Sequence, residues 1–109
     1  MNWNKLTTTA QLDQLIAEST DQPVLIFKHS TSCSISAMAL SRLERNWSEA
    51  AGIKPYYLDL LANRSLSGQV ASTFEVVHQS PQVLLIQDGQ CVYDASHMSI
   101  SFQALMQAV

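Results

Sequence analysis

The apolar positions of this chain follow two periods, and the points where one gives way to the other outline its elements. Within TTTAQLDQLIAES, Leu12, Leu15 and Ile16 share one helical face, and Thr8 with Gln11 matches a capping box, so a first helix starts there. A short strand is expected before it, around Trp3 to Leu6. Asp21 to Pro23 breaks the helix, and Val24 to Phe27 is the short apolar run that a strand buried on both faces needs. From Ser34 the spacing returns to four. Ile35, Ala39 and Leu43, widened by Leu40 and Trp47, predict a long helix that Gly52 stops. Pro55 to Leu60 (PYYLDL) reads as a second buried strand, and Asn63 can cap a helix carrying Leu66, Val70 and Phe74. Gln82–Gln87 and Gln90–Ala95 flank Asp88-Gly89, a strong hairpin signal. Phe102, Leu105, Met106 and Val109 mark one face of a last helix, with Ser99 as its cap.

The first half of this order is a βαβ unit, for which parallel strands and a right-handed crossover are expected, and the hairpin adds an antiparallel edge. The fold class is therefore α/β: a mixed sheet between helices, in a three-layer α/β/α sandwich. The 109 residues make one domain, 1–109, large enough to bury a core without disulfides. Apolar residues are 47% and charged ones 14%, too hydrophobic a balance for disorder. Six basic and nine acidic residues leave a net charge of −3 with no basic stripe, so nucleic acid is not an expected partner. MNWNKLTTTA carries neither a basic leader nor an apolar core, and no apolar stretch approaches the ~18 residues of a membrane span. The expectation is a soluble, cytoplasmic protein without a membrane partner. Two cysteines in such a chain argue for reactive chemistry over a disulfide framework.

Cys33, in KHSTSCSIS, falls where a strand hands over to a helix. Unpaired amides and the positive end of the helix dipole favour a thiolate there, and such surroundings bring a cysteine pKa from about 8.5 to about 3.5–7.5. Ser34 and Ser36 can offer hydroxyls to the sulfur, and Lys28 and His29, close in sequence, are candidates for the substrate-binding side. Ser36 stands where a CxxC pair has its second thiol; a serine cannot resolve a mixed disulfide, so an outside thiol must. Pro81 opens a strand after the polar loop HQS, and a cis bond before it would present the backbone of Ser80 to a ligand. Cys91, on a hairpin strand beside Val92 and Tyr93, reads as a core cysteine. His29, His78 and His97 come from separate loops without zinc spacing, so no metal site is assigned. Asp59, in YYLDL, reads as a strand-end carboxylate satisfied by neighbouring backbone, the rival being a proton relay below the cysteine.

From about Leu12 onward, the order strand, cysteine motif, long helix, strand, helix, proline, hairpin, helix resembles the thioredoxin superfamily. VLIFKHSTSCSIS, HQSPQVLLI and YDASH together resemble the bacillithiol-system monothiol proteins of that superfamily, the bacilliredoxin-like proteins. The resemblance implies that Cys33 attacks, that Ser36 occupies the resolving position, that Pro81 is a cis-proline facing Cys33, and that Ser96 and His97 border the same groove. It implies no bound cofactor or metal, a small thiol such as bacillithiol as co-substrate, and S-thiolated proteins as clients. Ser34 stands where this family commonly has proline. Glutaredoxins, which use glutathione, usually carry Thr-Val-Pro before the strand and Gly-Gly after the hairpin. Here those stretches are Gln79-Ser80-Pro81 and Ala95-Ser96-His97, so a different thiol is favoured. Two other readings stay open: a non-catalytic module whose groove beside Pro81 captures a peptide, and a dithiol reductase using Cys33 and Cys91.

Overall fold

The computed structural model describes residues 1–109. Its elements run β1 (Asn4–Lys5), α1 (Thr9–Glu18), β2 (Val24–His29), α2 (Ser34–Asn46), β3 (Lys54–Asp59), α3 (Arg64–Phe74), β4 (Gln82–Gln87), β5 (Gln90–Ser96) and α4 (Phe102–Ala108). Short 3-10 turns fill Glu49–Ala51 and His97–Ser99. The five strands form one sheet in the order β1-β3-β2-β4-β5. The β1–β3 and β2–β3 pairs are parallel, while β2–β4 and β4–β5 are antiparallel. This is the mixed α/β sheet expected of a thioredoxin-like chain.

Local chemistry explains most boundaries. Thr8 Oγ1 accepts from Gln11 N at 3.1 Å while Gln11 Oε1 accepts from Thr8 N at 3.1 Å, a closed capping box at the start of α1. Asp88 and Gly89 take φ of 52° and 75°, the left-handed pair that a two-residue hairpin demands. The register slips between Leu85 and Ile86, which face Tyr93 and Cys91, so Val92 is the extra residue of a bulge.

Three boundaries differ from the pattern. Helix α2 ends at Asn46 instead of running to Gly52: Trp47 turns extended and packs at a tilt against Phe102, with ring centroids 5.0 Å apart. Ser48 then caps a separate 3-10 turn, which the left-handed Gly52 closes at φ 71°. The cap of α4 is Ser101, whose Oγ accepts from Ala104 N at 3.1 Å; Ser99 lies inside the preceding 3-10 turn. Strand β2 runs two residues past Phe27, through Lys28 and His29, both buried.

Alternation along β2 sorts the core. Val24 and Ile26 pack on the side of α1 and α3 with Leu12, Leu66 and Val70, whereas Leu25 and Phe27 pack on the side of α2 and α4 with Ala39, Leu43 and Leu105. Each such fully buried side chain is worth about 1.5–3 kcal/mol over its exposed state. The same alternation sends Lys28 to the α3 side and His29 to the α2 side.

Candidate active site

Four chain segments meet at one edge of the sheet. Lys28 faces Gln82, Gln82 faces Ser96, and His29 faces Asp59, so the ends of β2, β3 and β5 and the start of β4 lie together. Cys33 follows β2 after a three-residue loop. Its N–H donates to Ser30 O at 3.1 Å, and its carbonyl accepts the first helical bond of α2 from Ala37 N at 3.1 Å. With φ −110° and ψ 120° it is the N-cap of α2, half-buried, preceded by exposed Ser32 and followed by exposed Ser34 and Ile35. The helix dipole is therefore directed as expected. No first-turn amide donates to the sulfur, so the field of the oriented peptides acts there without a closed cap.

Ser36 is fully buried on the inward stripe of α2 with Ala39 and Leu43. Its hydroxyl was expected to serve the sulfur; in the structure Oγ lies 2.6 Å from His29 Nδ1 and accepts from Ser30 N at 3.1 Å. His29 is only 6% exposed, held among the rings of Phe27 and Tyr57. Burial pushes its pKa below the usual 6.5, against the pull of the Asp59 and Glu44 carboxylates. Thus His29 touches the site from beneath, through Ser36. Ser30, which completes this arrangement with its backbone N–H, carries no signal in the sequence.

The Ser80–Pro81 peptide bond is cis, and Pro81 is buried at the mouth of β4. The carbonyl of Pro81 accepts from His97 N at 3.1 Å, which ties the 3-10 turn after β5 to the proline. Ser80 Oγ is buried without a partner. His97 is exposed and takes φ 54°, the left-handed region that favours glycine. Its turn packs against α2, with Arg42 donating to Ile100 O at 2.9 Å. That Arg42 anchor is a contact between distant segments, which residue pattern alone does not disclose.

Lys28 departs from the substrate-facing position expected for it. It has no exposed surface, its ammonium donates to Ser67 O at 3.2 Å on α3, and His78 Nδ1 lies 3.2 Å away. The reason is strand alternation: the residue before His29 must point through the other face. Burial without an ionic partner lowers its pKa from 10.5 to about 8. His78 is thereby drawn to the α3 side, so the three histidines do not converge, and no cluster of three possible metal ligands occurs. Asp59 Oδ1 accepts from Leu61 N at 3.1 Å and Ala62 N at 3.4 Å, the strand-end arrangement. Cys91 packs against the α1/α3 core beside the hairpin, its Sγ–H donating to Tyr93 O at 3.4 Å.

A cysteine at a helix N-terminus, a cis-proline entering the neighbouring strand and this strand order define a thioredoxin-fold protein of the thiol–disulfide oxidoreductase class. The solved structures agree. One, described by its thioredoxin fold and a provisional oxidoreductase label, is 33% identical, covers 95% of this chain and 90% of its own, and superposes with a TM-score of 0.83. Malassezia sympodialis thioredoxin shares the fold at 16% identity, with 97% and 89% covered and a TM-score of 0.77. Saccharomyces cerevisiae mitochondrial thioredoxin 3 does so at 18%, with 98% and 92% covered and a TM-score of 0.77. Residues 4–105 match the family described as monothiol bacilliredoxin BrxC, and the chain belongs to that family.

Proposed function

We propose that the protein removes a low-molecular-weight thiol, bacillithiol, from mixed disulfides on other proteins, using Cys33 as the nucleophile. The thiolate of Cys33 attacks the small thiol's sulfur in client–S–S–R. A Cys33–S–S–R bond forms, the S–S bond between the client's sulfur and the small thiol's sulfur breaks, and the client leaves as a thiolate that takes a proton from water. A second R–SH, deprotonated, then attacks the adduct, giving R–S–S–R and free Cys33. No metal or organic cofactor takes part. Ser34, Ser80, Pro81 and His97 are the residues assigned to hold the adduct.

The observation that carries this reading is the pairing of a half-buried, helix-capping cysteine with a serine in the resolving position, while the other thiol lies at the far end of the sheet. The family match supports bacillithiol, as does the lack of a recognisable glutathione cradle at Gln79-Ser80-Pro81. The test mixes the reduced protein with a bacillithiolated client and takes intact masses. Expected is an adduct on Cys33 equal to bacillithiol less two hydrogens, with matching loss from the client. Transfer from a glutathionylated client alone would assign a different thiol, and transfer from neither would remove the catalytic reading.

A further inference from the structure

The hydrogen bonds beneath Cys33 do not close in only one way. Ser36 Oγ has one hydrogen and two lone pairs, and Ser30 N–H, at 3.1 Å, occupies one lone pair. The 2.6 Å contact with His29 Nδ1 uses either the hydroxyl hydrogen or the other lone pair. When Nδ1 is bare, Ser36 donates to it and turns a lone pair toward its remaining neighbours. When Nδ1 carries a hydrogen, Ser36 accepts twice, and its own hydrogen is free for the sulfur of Cys33. The two side chains stand three positions apart, at the N-cap and in the first turn of α2, where such residues are neighbours.

We infer that His29 is a positioning residue for Cys33: acting through Ser36, the proton on its Nδ1 decides whether the sulfur is offered a hydroxyl donor. This inference rests on the proposed role of Cys33 as the nucleophile. At neutral pH the imidazole is neutral with its hydrogen on Nε2, which bonds no protein atom, and the short Nδ1 contact fits an O–H donor. In acid Nδ1 gains its proton and Ser36 is released to the thiolate. The charged and titratable groups facing His29 are Glu44 from α2 and Asp59 and Tyr57 from β3. Both carboxylates favour the imidazolium and burial opposes it, so the transition falls on the acid side of 6.5.

The test follows alkylation of Cys33 by iodoacetamide against pH, in a Cys91→Ser background so that one thiol reports. The rate should fall less steeply below the His29 transition, ending about tenfold above the line extrapolated from neutral pH. That excess should vanish in Ser36→Ala and in the double variant, while His29→Phe, with no Nδ1 to hold the Ser36 hydrogen, should lose the break but keep the raised rate across the pH range. Absence of the excess in the parent protein overturns the inference. So does an excess that persists in Ser36→Ala, since His29 would then act on the sulfur by charge alone. Should either variant fail to fold, nitrogen-15 shifts of the His29 ring in the parent decide: bare Nδ1 at neutral pH is expected, and a hydrogen on Nδ1 there overturns the scheme. Alkylation needs neither client nor small thiol. A protein that shows the break but accepts no bacillithiol adduct therefore refutes the proposed function and leaves this inference standing.

Discussion

Cys33 and Cys91 occupy opposite ends of the same sheet, and their surroundings have little in common beyond the element sulfur. Cys33 caps a helix among exposed serines, where oriented peptide dipoles favour negative charge. Cys91 faces Ile86 beside the Asp88-Gly89 turn, where burial pushes its pKa up and the backbone acceptor at Tyr93 holds its hydrogen. Ser96, at the site end of β5, is five residues farther on, about 16 Å at the rise of a strand. A disulfide needs Cα atoms within about 7 Å, and Cys91 lies more than twice that reach from the end of β5 that borders the site. Identical side chains become a half-exposed helix N-cap and a core filler according to which end of the sheet carries them.

The largest effects test this contrast directly. Cys33→Ser should abolish transfer of the small thiol, because a neutral hydroxyl does not attack a disulfide, while Cys91→Ser should keep it within about twofold. Equal losses in the two variants would move the resolving role to Cys91. Next comes Ser36→Cys, which places a second thiol one turn from the first, where CxxC pairs close. Under mild oxidant its intact mass should drop by two hydrogens, and the parent monomer should show no such drop. A drop in the parent would mean that Cys33 and Cys91 meet.

A smaller effect separates two neighbours on β2, Lys28 and His29, which are both buried but serve opposite faces. Lys28 releases its proton at about 8 when folded, against an ordinary 10.5. Between those values the unfolded chain holds a proton that the folded chain has lost, so this group makes stability rise with pH across the window. Below about 8 both states are protonated and its penalty is constant. The full rise is about 3 kcal/mol for a shift of that size. In Lys28→Met that contribution disappears. Denaturant midpoints at about pH 7 and about pH 10 should therefore show the stability of the methionine variant, relative to the parent, falling as pH rises. Parallel pH curves for the two proteins would show that the ammonium is not buried as described.

How far the sequence discloses such features depends on whether they are local. The capping box at Thr8, the turn at Asp88-Gly89 and the run at Val24 depend on neighbours in the chain, and each lies where the pattern puts it. The position of Cys33 follows from the same local logic. Asn63 is the cap of α3, but its amide donates to Asp59 O in place of a capping bond, since the strand end before it offers an acceptor. What stayed hidden depends on contacts across the fold. Trp47 leaves its helix for Phe102, and Lys28 finds Ser67 39 residues away, a partner that makes a polar residue tolerable inside a central strand. The pair His29 and Ser36 was visible as two candidates near the cysteine. Their mutual bond, and the burial that denies both to a substrate, required the side chains themselves.

The smallest effect lies at His97, where the cysteine end departs from what backbone energetics alone would choose. A non-glycine residue at φ 54° costs about 1 kcal/mol, and His97 is exposed, so no core packing repays it. Its N–H bond to Pro81 O is made by the backbone and survives substitution. His97→Gly should then stabilise the fold by at most about 0.5 kcal/mol, read as a shift of the denaturant midpoint, after allowing for the freer unfolded chain. If His97 holds the adduct, the same variant should transfer the small thiol a few times more slowly while its Cys33 alkylation rate is unchanged. Stability gained with no loss of transfer would make the imidazole an ordinary loop side chain. Stability gained at the expense of transfer would place His97 among the residues whose strained backbone is retained for what the side chain contacts.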